Sequence, residues 1–247
     1  MTTIHLHPTA ELAERVLLPG DPGRALLLAQ ELLEAPRMFN HHRGLWGYTG
    51  ATTADGAPLT IQSTGMGGPS AAIVIEELLR LGARRLVRVG TCGALAPELE
   101  LGDAIVVSEA IATDGTSRAL GALGGGRVAA DAGLTAALAN AAVEHGGAHR
   151  GAVVSTDLFY GAPPPRAAAG AGGDALAVEL ESATLFRLAQ LRGVRAGALL
   201  IVSDLVLASR SASAEGKRDG PPPRLDDEEL ATAARRTGRL AAAALSD

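Results

Sequence analysis

The stretch Leu86-Val87-Arg88-Val89-Gly90-Thr91-Cys92-Gly93-Ala94 sets a guanidinium in the middle of an apolar strand and then breaks into glycine and threonine. Burying that cation between Val87 and Val89 is costly unless an anion meets it, and the bend that follows is expected to free backbone N–H groups and the Thr91 hydroxyl to do so. The alternative is an Arg exposed on an edge strand. A second loop of the same character, Leu18-Pro19-Gly20-Asp21-Pro22-Gly23-Arg24, favours the anion site. There a strand over residues 15–18 runs into a glycine turn, and an Ala/Leu-rich helix follows over 24–33. Strand, turn and helix start point amides and a positive dipole end at one spot, a common place to hold phosphate. Asp21 also reads simply as the cap of that helix.

A third bend, Thr64-Gly65-Met66-Gly67-Gly68-Pro69-Ser70, opens a helix over 71–81, with Pro69 suited to its first turn. Strand, small-residue loop and helix have then occurred twice. That pattern predicts an α/β fold, a single domain over 1–247 with a central mixed, twisted β-sheet flanked by helices. Ligands of such sheets sit beyond the carboxyl ends of the strands. Residues 45–53 and 58–63 read as a hairpin across Ala54-Asp55-Gly56, and 103–112, 150–155 and 197–203 as further strands. Helices are expected over 134–145, with His145 near its end, and over 226–245, acidic at its start and carrying Arg235, Arg236 and Arg239 later. Gly121–Gly126, 163–173 and 209–223 read as flexible connections.

Composition narrows the function. The chain has 247 residues and only six aromatic ones, so its core must be aliphatic. A formal charge of −5 with no basic run argues against nucleic acid as partner. The single Cys92 excludes an internal disulfide framework and reads as a small buried residue. No apolar run reaches membrane-spanning length, so a soluble, cytoplasmic protein without membrane partners is expected. Adjacent His41 and His42 point to opposite faces of an extended segment with no third ligand at spacing, so no metal is expected.

Two segments suggest what meets the anion. Glu179 and Glu181 stand two residues apart before an apolar helix and in extended geometry face one side, where a carboxylate can accept vicinal hydroxyls. The plainer reading makes Glu181 a charge in the first helical turn. Phe159-Tyr160 pairs two of the few aromatics in a loop, to stack on a flat heterocycle or to cover a core edge.

Residues 16–25, 40–50, 64–70, 88–94, 155–160, 178–183 and 202–204, in that order, resemble the nucleoside phosphorylase family of the hexameric purine and uridine phosphorylase type. Within it, the run His41-His42-Arg43-Gly44-Leu45-Trp46-Gly47-Tyr48-Thr49-Gly50 is most similar to the bacterial and archaeal purine enzymes. The resemblance implies that Gly20, Arg24, Arg88 and Thr91 hold inorganic phosphate, the co-substrate, with no cofactor. It implies that Arg43 and His5 serve a neighbouring subunit, at its phosphate and at the 5′ end of its sugar, in a homohexamer built as a trimer of dimers. Glu181 would bind the ribose 2′ and 3′ hydroxyls beside Met66 and Leu180, the last in place of a usual Met. Phe159, Val178, Glu179 and Ser203 would border the base.

Asp204 would donate a proton to purine N7, and since free aspartic acid has a pKa of about 3.9, that role needs a shielded site or a proton delivered on binding. Some relatives pair this Asp with a downstream Arg, for which Arg210, Lys217 and Arg218 are all candidates. Uracil-reading relatives carry a Gln and an Arg after the aromatic pair; here Gly161-Ala162-Pro163-Pro164-Pro165-Arg166 lacks the Gln, which favours a purine nucleoside. Methylthioadenosine phosphorylase, uridine phosphorylase and a non-catalytic nucleoside-binding protein are the alternatives.

Overall fold

The computed structural model describes residues 3–143, 146–160, 174–206 and 223–246. Its strands are β1 (Arg15–Leu18), β2 (Leu33–Asn40), β3 (Gly47–Thr52), β4 (Pro58–Gln62), β5 (Arg85–Ala94), β6 (Ala104–Ala112), β7 (Arg127–Ala129), β8 (His149–Ser155), β9 (Ala175–Glu179) and β10 (Arg195–Asp204). They form one mixed sheet in the order β10, β6, β8, β9, β5, β1, β4, β3, β2, with β7 beside β6. A further pairing of β10 with β5 closes β5, β9, β8, β6 and β10 into a ring. The helices are α1 (Pro22–Leu32), α2 (Gly67–Leu81), α3 (Gly115–Ala119), α4 (Ala132–Val143), α5 (Ser182–Arg192) and α6 (Asp227–Ala244).

The alternation of β5 assigns its two faces. Leu86 and Cys92 lie in a cluster with Val74, Ile75 and Leu78 of α2 and with Leu185, Phe186 and Leu188 of α5. Val87 and Val89 lie in the opposite cluster, with Leu28 and Leu32 of α1, Leu134 and Leu138 of α4 and Leu240 of α6. Successive strand side chains point to opposite faces, so Arg88 shares the face of Leu86 and Cys92, beneath α2 and α5.

One expectation about β5 needs correction. The strand does not stop at Gly90 but runs to Ala94, because its pairing with β10 continues past the glycine, from Leu200 opposite Gly90 to Val202 opposite Cys92. What ends is the partner on the other edge. β1 leaves at Leu18 opposite Arg88, and β9 takes over only at Val178 opposite Gly93. Between them that edge of β5 changes neighbour, and such switch points are where α/β sheets open a crevice.

Helix starts follow local chemistry. Asp21 caps α1, accepting from the Arg24 N–H at 2.7 Å, with Pro22 in its first turn. α2 begins at Gly67 rather than Ala71, so the third glycine bend supplies the first helical turn itself. Asp226 and Glu229 form a capping box on α6. β2, α3 and β7 had no counterpart in the sequence reading, and the 45–53 strand shortens to Gly47–Thr52 behind a 3₁₀ turn at His42–Gly44. His145 and the connections 163–173 and 209–222 lie outside the described residues.

Candidate active site

Arg88 is only 6% exposed, and two carboxylates meet it. Its Nη2 lies 2.5 Å from Glu181 Oε2, and its Nε donates to Glu179 Oε2 at 3.2 Å. Both acids are buried and converge on one cation, although only Glu179 is in extended backbone, at the end of β9, while Glu181 stands in the bend that caps α5. Burial by itself would lower the Arg88 pKa, but Glu181 and Glu179 outweigh it and hold the guanidinium firmly charged. Burial pushes the Glu181 carboxyl above its ordinary value; Arg88 opposes this, Glu179 adds to it, and the Gly67 N–H opposes it. That N–H, at the start of α2, donates to Glu181 Oε1 at 2.5 Å.

Two loops frame this pair. Thr64 N–H donates to Pro19 O at 2.9 Å and Gly65 N–H to Gly20 O at 3.0 Å, which stitches the 18–24 loop to the 64–70 bend. A Cβ on Gly20 would crowd Gly65 O at 3.3 Å and stand in ordinary contact with Arg88 Nη1 at 3.9 Å, so this backbone runs close beside the guanidinium. Gly90 is tighter: a Cβ there would sit 2.6 Å from Arg88 Cζ, because the side chain folds back across its own strand. Half-buried Arg24 feels the Arg88 charge. Burial and Arg88 lower its pKa, while Asp21 partly opposes them. Arg24 and Arg88 are thus two cations within electrostatic range of each other, at bends that present bare backbone.

Beyond Arg88 along β5 lie the ends of β5, β9 and β10. Thr91 and Val178 are half-buried there, and Val178 faces Gly93 across the β5–β9 pair. Asp204 ends β10 after an irregularity in register, and the buried Ser203 hydroxyl donates to its Oδ2 at 2.7 Å. Arg224 approaches Asp204 Oδ1 to 3.8 Å and pairs with it in an antiparallel bridge. Arg224 was missed by the sequence reading, and Arg210, Lys217 and Arg218 lie outside the described residues. Its position two residues before the Asp226 cap is the clue, because the chain must return to β10 to start α6. Phe159 and Tyr160 contact edge to face at 4.8 Å yet are 66% and 85% exposed, so they do not cover a core edge. Met66, at 86%, and half-buried Leu180 complete the apolar side chains of these segments. Cys92 is buried with its thiol donating to Ile201 O at 3.4 Å. Burial and Glu179 push its pKa up, against Arg88 and together with Asp204.

His5 and Arg43 stand apart. Among the described residues neither is hydrogen-bonded to a member of this group. His5 Nδ1 lies 3.0 Å from Glu77 Oε1, and the same buried carboxylate accepts the N–H groups of Ile4, His5 and Leu6. Glu77 therefore pins the N-terminal arm to α2, a role invisible in a helical Glu-Glu pair. Arg43 is exposed in the 3₁₀ turn with φ 59°, a left-handed conformation that a non-glycine residue adopts only at a cost. His7 and His42 stack at 3.8 Å, and no group of three or more His, Cys, Asp or Glu side chains among the described residues is placed to share a metal ion.

Residues 14–246 match the model of the phosphorylase superfamily. The chain belongs to this family. It is 38% identical over 212 residues to the DeoD-type purine nucleoside phosphorylase of Geobacillus kaustophilus, covering 85% of this chain and 89% of that protein. A guanosine phosphorylase of Halorubrum lacusprofundi is 35% identical over 221 residues, 90% of each chain. A uridine phosphorylase of Treponema pallidum is 36% identical over 222 residues, 85% of this chain and 83% of its own. Family membership accords with the mixed sheet flanked by helices. Among the described residues no helix is long and apolar enough to cross a membrane.

Proposed function

We propose that the chain is a phosphate-dependent purine nucleoside phosphorylase acting in the cytoplasm. The observation that carries this reading is the buried Arg88 held by Glu181 at the switch point of β5, with Gly20 and Arg24 beside it. Gly20, Arg24, Arg88 and Thr91 bind phosphate, and Glu181 turns a carboxylate oxygen to the sugar hydroxyls next to Met66 and Leu180. Val178, Phe159 and Ser203 line the base. Charge supports a shared site: Arg24 and Arg88 are balanced within one chain by Glu179 and Glu181. A phosphate dianion therefore needs a further cation, which Arg43 of a second copy supplies from its left-handed turn. His5 of that copy serves the 5′ end of the sugar, and a trimer of such dimers gives the hexamer.

The chemistry follows from charge placement. Breaking the N-glycosidic bond leaves positive charge on the sugar and an electron pair on the departing base. Phosphate beneath the anomeric carbon stabilises that cation and then bonds to it, giving the sugar 1-phosphate. Asp204, beside Arg224, delivers a proton to purine N7, and positioned transfer of this kind contributes roughly 10²–10⁴ in rate. The test is a panel of inosine, guanosine, adenosine, methylthioadenosine and uridine assayed with and without phosphate. Purine release that requires phosphate is the expected result. Equal release without phosphate means hydrolysis, and uridine as the best substrate overturns the purine assignment.

A further inference from the structure

The Glu179 carboxylate is filled from within the protein. Its Oε1 accepts from the Ser155 hydroxyl at 2.5 Å and the Ser182 N–H at 2.9 Å, and its Oε2 from the Glu181 N–H at 2.9 Å and Arg88 Nε at 3.2 Å. An ionised carboxylate has about four acceptor sites, so nothing is left for a base. Glu179 is moreover only 4% exposed, at the end of β9 and just before α5. Glu181, in contrast, accepts from Arg88 at Oε2 and from the Gly67 N–H at Oε1, which leaves acceptor positions for sugar hydroxyls.

From this arrangement we infer that Glu179 is a positioning residue, which fixes Arg88 through Nε so that its outer nitrogens keep facing phosphate while Glu181 serves the sugar. The same carboxylate accepts the Glu181 N–H and so sets where the sugar-binding acid begins. The inference rests on the phosphate-binding reading above and gives Glu179 work at the anion in place of the expected base contact.

The test is calorimetric titration of inorganic phosphate into the full-length parent, Glu179→Gln and Glu179→Asp, with melting temperatures and inosine and adenosine kinetics alongside. Gln places an NH₂ group among donors, and Asp is too short to reach Nε. Removing a hydrogen bond to a charged group predicts phosphate binding about tenfold to a hundredfold weaker in either folded variant. The ratio of inosine to adenosine turnover should stay parental. Parental phosphate affinity in a folded variant overturns the inference, and a shifted base ratio with unchanged phosphate affinity restores a base contact. Two variants that both fail to fold place Glu179 in the framework and overturn it as well. A parent that binds phosphate but splits no nucleoside sinks the proposed reaction while leaving the Glu179 comparison decisive.

Discussion

Gly90→Ala tests the geometry of the proposed phosphate site most directly. The new methyl would lie 2.6 Å from Arg88 Cζ, 2.7 Å from Nη2 and 3.0 Å from Nε. Carbon contacts settle near 3.5–4.0 Å, so the guanidinium must retreat by about 1 Å. The backbone cannot yield instead, because β5 is locked to β10 through this position. Arg88 must then stretch its contacts to Glu181 and Glu179, now 2.5 and 3.2 Å. Losing one hydrogen bond to a charged group costs about 1.5–3 kcal/mol, which is roughly a 10- to 150-fold rise in the KM for phosphate. Overpacking should lower stability by about 1–3 kcal/mol as well. Phosphate saturation curves for inosine cleavage, with urea unfolding in parallel, read both effects. Gly56→Ala is the control: its Cβ meets nothing within 4 Å, but its φ of +70° strains alanine by roughly 1–2 kcal/mol. It should lose stability and keep the parental phosphate KM. A folded Gly90→Ala enzyme with a parental phosphate KM would refute the placement of Arg88.

Asp204→Asn should slow adenosine cleavage more than inosine cleavage, since the 6-oxopurine anion leaves more readily without a proton; equal kinetics for variant and parent on both substrates would remove Asp204 from its role. Amide hydrogen bonds hold the Glu77 carboxyl at a pKa of about 2 despite its burial, against roughly 4.3 in an unfolded chain. A depressed folded pKa means stability that is complete above the unfolded value and lost as pH falls between the two. Urea unfolding from pH 6 to pH 2 should therefore show a slope that Glu77→Gln flattens, and an unchanged slope counts against the arm anchor. Asp226→Ala removes the acceptor of two N–H groups in the first turn of α6 and should cost about 1 kcal/mol, read as a lower melting midpoint with unchanged activity.

A cation in an apolar strand must meet negative charge nearby, and Arg88 meets it in Glu179 and Glu181. Arg88 and its need for acidic partners are legible for that reason, but the bend that turns Glu181 into the cap of α5 is not, because extended spacing alone does not describe it. The continuation of β5 through Gly90 is not legible, because it depends on pairing with β10, more than a hundred residues away in the chain. β2 hides behind Ala35, at φ 44°, and Pro36, which interrupt its pairing register with β3. Glu77 hides because its partners are backbone amides of a distant arm, which carry no residue-type pattern. Arg224 hides among other basic residues until the return of the chain to Ser203 and Asp204 selects it.

The buried thiol of Cys92 has a practical consequence. It is the only cysteine of the chain, sits inside the β5–β10 ladder and is pushed away from the thiolate form that reacts with electrophiles. Maleimide dyes therefore meet a silent background in the native protein. A cysteine placed at Leu123, 81% exposed, becomes the sole handle for a fluorophore, so one surface position can be labelled without first stripping sulfur from the sequence.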